Sequence, residues 1–169
     1  MTFTASAVMV GAMGVGMMRQ TFDAALAWAK TERRGGKQIM LHKQSVADLL
    51  IKIKTRCEAA RALTWKAACA FGRTKYGAEL CYEAKICGSE SAVESVTDAI
   101  NLVGVSAYSR EQPFGHLLQD ALVLPIFDGG NVGVRRRQIE VIFGQDEYDP
   151  WESTFGGDAS ASTNGTNGH

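Results

Sequence analysis

A chain of 169 residues with 46% hydrophobic content lies in the size range of one globular domain, large enough to bury a core without disulfides or metals. Its eighteen basic and eighteen acidic side chains balance to a formal net charge of zero, which removes the electrostatic case for a nucleic-acid partner or an anionic membrane surface. Any charged ligand must therefore be met by local groups. The four cysteines, Cys57, Cys69, Cys81 and Cys87, stand at spacings of twelve, twelve and six with no CxxC pair. They read as small apolar core residues in reducing, cytoplasmic surroundings, and no metal site is expected.

The uncharged run from Thr2 to Met18 contains Gly11, Gly14 and Gly16, has no basic residues ahead of it, and passes unbroken into the amphipathic QTFDAALAWAK. It reads as a buried bundle helix rather than a signal peptide or membrane span. This first helix is predicted over residues 4–32, closed by the late cations Arg33 and Arg34 and by the Gly35–Gly36 pair. Next, Val46, Leu49, Leu50, Ile53, Cys57, Ala60 and Thr64 recur at three- and four-residue steps among Lys52, Lys54, Arg56, Glu58 and Arg61. That is an amphipathic helix, with Ser45 placed to cap it, Asp48 as a weaker capping-box partner, and an end near Phe71 and Gly72.

A third long helix is predicted over residues 78–103, crossed by Gly88 and closed by Gly104. A shorter one over 114–122 follows the entry at Gln112–Pro113, and Pro125 prevents its continuation. The apolar run from Val123 to Phe127 is open to an extended conformation, and a last helix is predicted over 131–144. Beyond Trp151 the composition collapses to Gly, Ser, Thr, Asn and Ala, so a domain of residues 1–152 is expected to carry a disordered tail over 153–169. The fold class is all-α, an antiparallel four-helix bundle.

The stretch LPIFDGGNVGVRRRQ, from Leu124 to Gln138, carries the most chemical information. Gly129 and Gly130, beside Phe127, would let the backbone approach a bulky planar ligand, and the unpaired N–H groups of the following helix start suit an anion or an electron-rich ring edge. A carboxylate held at such a place, Asp128, suits proton abstraction. The same run also reads as an ordinary helix start with Asp128 near the N-cap. No GxGxxG or P-loop supplies another nucleotide site.

This stretch resembles the Tyr-Glu-Gly-Thr motif of the acyl-CoA dehydrogenase superfamily, whose catalytic Glu is followed seven residues later by Arg; Asp128 and Arg135 stand at that spacing. WAKTERRGGKQIMLHKQSVADLLIKI resembles the family's Tyr-Ala-x-x-Arg-x-x-Phe-Gly block with the His-Gln and helix that follow. DAINLVGVSAYSREQPFGHLLQDALVLPIFDGG resembles the block running from Gln-x-x-Gly-Gly to the catalytic acid. Residues 3–152 keep these blocks in collinear order. Within the superfamily, the Phe-Asp-Gly-Gly-Asn run, the triple arginine, the Arg-Gly-Gly turn, the Gln-Ser-Val-Ala-Asp helix start and the Asp-Pro-Trp ending are most similar to the nitroalkane oxidases.

The resemblance implies FAD as cofactor and an aspartate base, Asp128, that removes the α-proton of a nitroalkane. It implies Arg135 as the cation that orients that base and Ser6 as its hydrogen-bond partner. Were a straight helix to begin at Asp128, Arg135 would stand about 10 Å up the axis, so either the arginine extends fully or Asp128 folds back on the glycine loop. Arg34 and Gln44 correspond to FAD contacts that often come from a neighbouring subunit. Asn101 and Gly104 fall where the family has Gln-x-x-Gly-Gly, with Asn for Gln and Val105 for the second Gly; Lys43 replaces the His before Gln.

An aspartate is shorter than glutamate by about 1 to 1.5 Å of reach, which argues against standard acyl-CoA dehydrogenation, although an acyl-CoA substrate remains the alternative. A homo-oligomer, dimer or tetramer, is implied. The family's N-terminal helical domain and middle β-domain have no counterpart in this sequence, so a fragment inactive by itself is expected. The competing reading of another class is a bundle that serves only oligomerisation.

Overall fold

In a computed structural model the described residues are 2–152, and the tail expected over 153–169 lies outside them. Three long helices, α1 (Thr2–Thr31), α2 (Gln44–Ala70) and α3 (Gly77–Val103), are followed by the shorter α4 (Phe114–Val123) and α5 (Arg136–Phe143). No strand occurs among the described residues. The expected all-α bundle is what forms, with α3 packed against α1, α2 and α4. No helix among the described residues is long and apolar enough to cross a membrane.

Helix α2 buries Val46, Leu50, Ile53, Cys57, Ala60 and Thr64 of the predicted stripe and continues it through Ala67 and Ala70, while Leu49 is half-buried at its edge. Fully buried aliphatic side chains such as Ile53 each contribute about 1.5–3 kcal/mol. Ser45 does not cap this helix. Lys43 holds the N-cap position in an extended conformation without a side-chain cap, and Ser45 lies exposed in the first turn. The cause is the short 3₁₀ turn Met40–His42, anchored by buried Met40, which passes the chain into α2 through Lys43 N–H to Met40 O at 3.0 Å.

Helices α1 and α3 meet through glycine. A Cβ at Gly14 would lie 2.3 Å from the Gly88 carbonyl oxygen, one at Gly88 would lie 2.7 Å from that of Gly11, and one at Gly11 would lie 2.9 Å from that of Ala84. The two backbones are therefore in contact, an approach that only residues without a Cβ permit. Helix α1 ends as expected near the Gly35–Gly36 pair, but Arg34 shares the left-handed turn with Gly35, at φ 46° and 74°. The amides of Arg34 and Arg33 donate to the Glu32 carboxylate and hold it below the usual carboxylate range.

The last predicted helix is corrected at its start. Asn131–Arg135 forms a single π-helical turn, in which the N–H groups of Val134 and Arg135 both donate to Gly130 O, and only then does α5 begin. The wider turn keeps both Asn131 and Arg135 inside, each 1% exposed. The apolar run before it is not extended: Ile126 and Phe127 N–H both bond Val123 O, so it coils as turns. The segment after α5 is tied back to the start of α3 by Tyr148 Oη donating to Glu79 Oε1 at 2.8 Å and Tyr76 Oη to Glu147 O at 2.9 Å.

The cysteines do not all lie in the core. Cys57 and Cys81 are buried and Cys87 is half-buried, whereas Cys69 is exposed, because it falls on the outer face of α2. Burial pushes the Cys81 thiol up to about 11 and raises that of Cys57. Alkylation of the native chain at pH 8 should therefore modify Cys69 first and leave Cys81 unmodified until the chain unfolds. Peptide mapping after a timed iodoacetamide pulse checks this, and early labelling of Cys81 would contradict it.

Candidate active site

Asp128 sits at the end of the α4–π-turn loop with φ 52°, a left-handed conformation that short polar side chains reach more easily than others. It is not an N-cap: Gly130 holds that position, with no side-chain cap bond. Its carboxylate is held from two elements. Ser6, on the first turns of α1, donates from Oγ to Oδ1 at 2.9 Å. Arg135 donates from Nη2 to Oδ2 at 3.0 Å and to the Asp128 carbonyl oxygen at 2.7 Å. Of the two arrangements open for the seven-residue spacing, the loop folds back and brings Asp128 to the arginine.

Arg135 is enclosed. Its Nη1 donates to Gln138 Oε1 at 3.1 Å, its Cζ lies 5.1 Å from the centroid of the Tyr82 ring, and its buried Nε has no hydrogen-bond partner. Tyr82 in turn shares a 3.1 Å hydrogen bond with Thr4 Oγ1, so α1 and α3 together seat the guanidinium. The Asp128 side chain retains 14% exposure against 1% for that of Arg135, which leaves the carboxylate reachable and the cation not.

The glycines are required by the loop's own close packing. Gly129 has φ 70°, and a Cβ there would stand 3.2 Å from Val134 Cγ1 and 3.5 Å from Arg135 Nε; at Gly130 it would meet Ile126 O at 2.9 Å. Around them Ile126, Phe127, Val132 and Val134 are exposed apolar side chains. The outcome is a partly exposed carboxylate on a loop and turn whose neighbouring residues are apolar and exposed.

The remaining predicted contacts lie elsewhere. Arg34 donates from Nη2 to Val103 O and stacks over Trp28 at 5.2 Å, and a Cβ at Gly104 would lie 2.9 Å from that same Nη2. Asn101 is exposed one turn before Gly104, and exposed Gln44 bonds Asp48 at the start of α2. At about 1.5 Å per residue, α1 from Ser6 to Thr31 rises about 38 Å, so Asp128 and Arg34 mark opposite ends of the bundle. One chain does not bring them together.

Sequence reasoning missed a buried array beneath the loop. Lys85 and Asn131, 0% and 1% exposed, are joined by a 2.8 Å hydrogen bond, with Ser89 and Glu90 beside them. Burial, and then the charge of Arg135, pull the Lys85 ammonium below its usual range, while Asp128 and Glu90 oppose this. The available signal was phase: Lys85 and Ser89 occupy core-facing positions of α3 together with Cys81, Ala92 and Val96. Among the described residues no group of three or more His, Cys, Asp or Glu is arranged to hold a metal.

Fold and site together define a helical bundle that presents a carboxylate, backed by a buried guanidinium, from the mouth of a glycine loop. The chain belongs to the acyl-CoA dehydrogenase C-terminal domain family, whose model matches residues 1–141. It is similar to the nitroalkane oxidase of Podospora anserina, 55% identical over 158 residues, covering 91% of this chain and 37% of that protein. The solved structure of that enzyme superposes with a TM-score of 0.89 at 53% identity, covering 91% of this chain and 37% of the other. The nitroalkane oxidase of Fusarium oxysporum is 40% identical over 158 residues, covering 91% of this chain and 36% of that protein. The resemblance read from the sequence is borne out, and the chain spans a little over a third of the length of the curated relatives it matches.

Proposed function

We propose that this chain supplies the base and part of the flavin pocket of an FAD-dependent enzyme that oxidises nitroalkanes. The observation that carries the reading is the Ser6–Asp128–Arg135 constellation on its left-handed loop. Three solved nitroalkane oxidase structures single out the same residue types: an active-site mutant with Asn for an aspartate, crystallised with 1-nitrooctane, another with Ala for a serine, and one on the roles of an arginine and an aspartate.

The nitro group makes the neighbouring C–H acidic by spreading the carbanion charge onto its oxygens. Asp128 takes that proton on a carboxylate oxygen. Ser6 and Arg135 each occupy one of the two oxygens and leave a lone pair on each, so they fix the direction of attack without consuming the base. Phe127, Val132 and Val134 are exposed apolar side chains of the same loop and turn, surface that the flavin-binding domains would cover and so dry. When bound, FAD supplies the electron acceptor.

The residues present fit such a cofactor. Asp128 stands with its carboxylate still reachable on a loop whose neighbours Phe127, Val132 and Val134 are exposed and apolar, suited to a flat ring, and Arg34, an exposed residue at the far end, carries a cation suited to a pyrophosphate. Because these ends are about 38 Å apart along α1, a complete site draws Asp128 from one copy of the chain and Arg34, with Gln44, Asn101 and Gly104, from a second. The reading therefore includes a homo-oligomer and the flavin-binding domains that make up the rest of the relatives' length. The free thiols accord with the cytoplasm.

The test replaces the matching part of the Podospora anserina nitroalkane oxidase with this chain. The purified chimera should be yellow and consume oxygen with 1-nitrooctane, while the 169-residue chain alone should show no turnover. A flavin-loaded chimera that ignores nitroalkanes, or that turns over acyl-CoA esters instead, would overturn the reading.

A further inference from the structure

The proton-transfer step leaves the array beneath the Asp128 loop unused, and the array reaches both ends of that loop. The Lys85 ammonium, on α3, donates to Asn131 Oδ1 at 2.8 Å and to Leu124 O at 3.4 Å. Leu124 opens the loop and Asn131 closes it. Asn131 also donates from its backbone N–H to Pro125 O at 2.8 Å and from Nδ2 to Ser89 Oγ at 2.9 Å and Glu90 Oε1 at 3.1 Å. Ser89 completes the connection to α3 by donating to Lys85 O at 2.7 Å.

Burying an ammonium without a carboxylate in direct contact is expensive, and an apolar side chain of the same length would fill the space at lower cost. What the ammonium provides and methionine does not is simultaneous donation to two carbonyl-type oxygens seven residues apart in the chain. Those two points fix the span from which Asp128 projects at positive φ between Ser6 and Arg135.

We propose that Lys85 is a positioning residue for the Asp128 base: by clamping Leu124 and Asn131 it sets where the carboxylate stands. This rests on the function proposed above. The test uses the flavin-loaded chimera with two substrates, neutral 1-nitrooctane and its preformed nitronate anion, which has already lost the proton. A misplacement of about 1 Å costs on the order of 100-fold in a proton transfer, so Lys85→Met should lose about that much kcat/KM on the neutral nitroalkane and less than about twofold on the nitronate.

Asn131→Ala, which removes the other half of the clamp, should show the same split and stands as the readout if Lys85→Met does not fold. Equal losses on both substrates would mean a merely structural role, and no loss on either would mean no role; both overturn the proposal. Failure of the underlying function has a different signature, full nitroalkane turnover by Asp128→Asn.

Discussion

Asp128→Asn should lower kcat/KM on 1-nitrooctane by about 10²- to 10⁴-fold in the chimera, the range that removal of a positioned general base produces. The change is nearly isosteric; it replaces one carboxylate oxygen by an NH2 group, removing the base together with its ion pair to Arg135. Asn tolerates the left-handed backbone as well as Asp does, so φ 52° carries no new strain. Arg135 keeps its 2.7 Å bond to the carbonyl oxygen of residue 128, and Ser6 keeps an amide oxygen to donate to. A loss of this size with unchanged flavin content and melting temperature would thus belong to the chemistry. Steady-state oxygen uptake checks it, and a loss below about tenfold would count against Asp128 as the base.

The largest stability effect should come from Gly14→Ala. Alanine is the better helix former by about 1 kcal/mol, so a solvent-facing site would gain. At Gly14 the new methyl would stand 2.3 Å from the Gly88 carbonyl oxygen and 2.6 Å from its carbon. The obstacle is backbone on a neighbouring helix, not a side chain free to turn away. Helices α1 and α3 would have to separate along the seam they share, disturbing the packing of Val10 and Met18 against Val96. Overpacking of this kind costs about 1–3 kcal/mol even with relaxation, and the propensity gain offsets about 1 kcal/mol of it, so a net loss of about 1 kcal/mol is expected, roughly 2–4 °C in melting temperature for a chain this size. Gly16→Ala is the internal control, since nothing lies within 4 Å of its Cβ position. Equal melting temperatures for the two variants would contradict the close-packed seam.

These two sites differ in how far the sequence announced them. The loop was legible: a carboxylate, two glycines and an arginine seven residues on form a pattern that composition made suggestive and family resemblance made specific. The Val46-to-Thr64 stripe was legible too, because a three-four repeat has one physical solution. The glycines of α1 were visible only as a reason to doubt a membrane span, since nothing local says that Gly11 and Gly14 face a backbone while Gly16 faces open space. Ser45 had the chemistry of a cap, but caps depend on how the chain arrives, and the Met40–His42 turn delivers Lys43 instead.

Asp128 itself takes a positive φ that sequence logic assigns to the glycines beside it, and the π-turn after it has no propensity signature. Lys85 stayed hidden for a related reason. A lysine is ordinarily read as solvated, and only the helical phase it shares with Cys81 and Ala92 reveals that it points inward.

The most direct measurement of the base assignment feeds the Asp128→Asn chimera a substrate that has no proton left to give. If residue 128 does nothing but strip hydrogen from carbon, this variant should oxidise the pre-ionised nitrooctane anion at close to the unsubstituted rate while barely touching the neutral compound. A variant equally impaired on both, or equally competent on both, would show that the carboxylate at 128 is not what breaks the C–H bond.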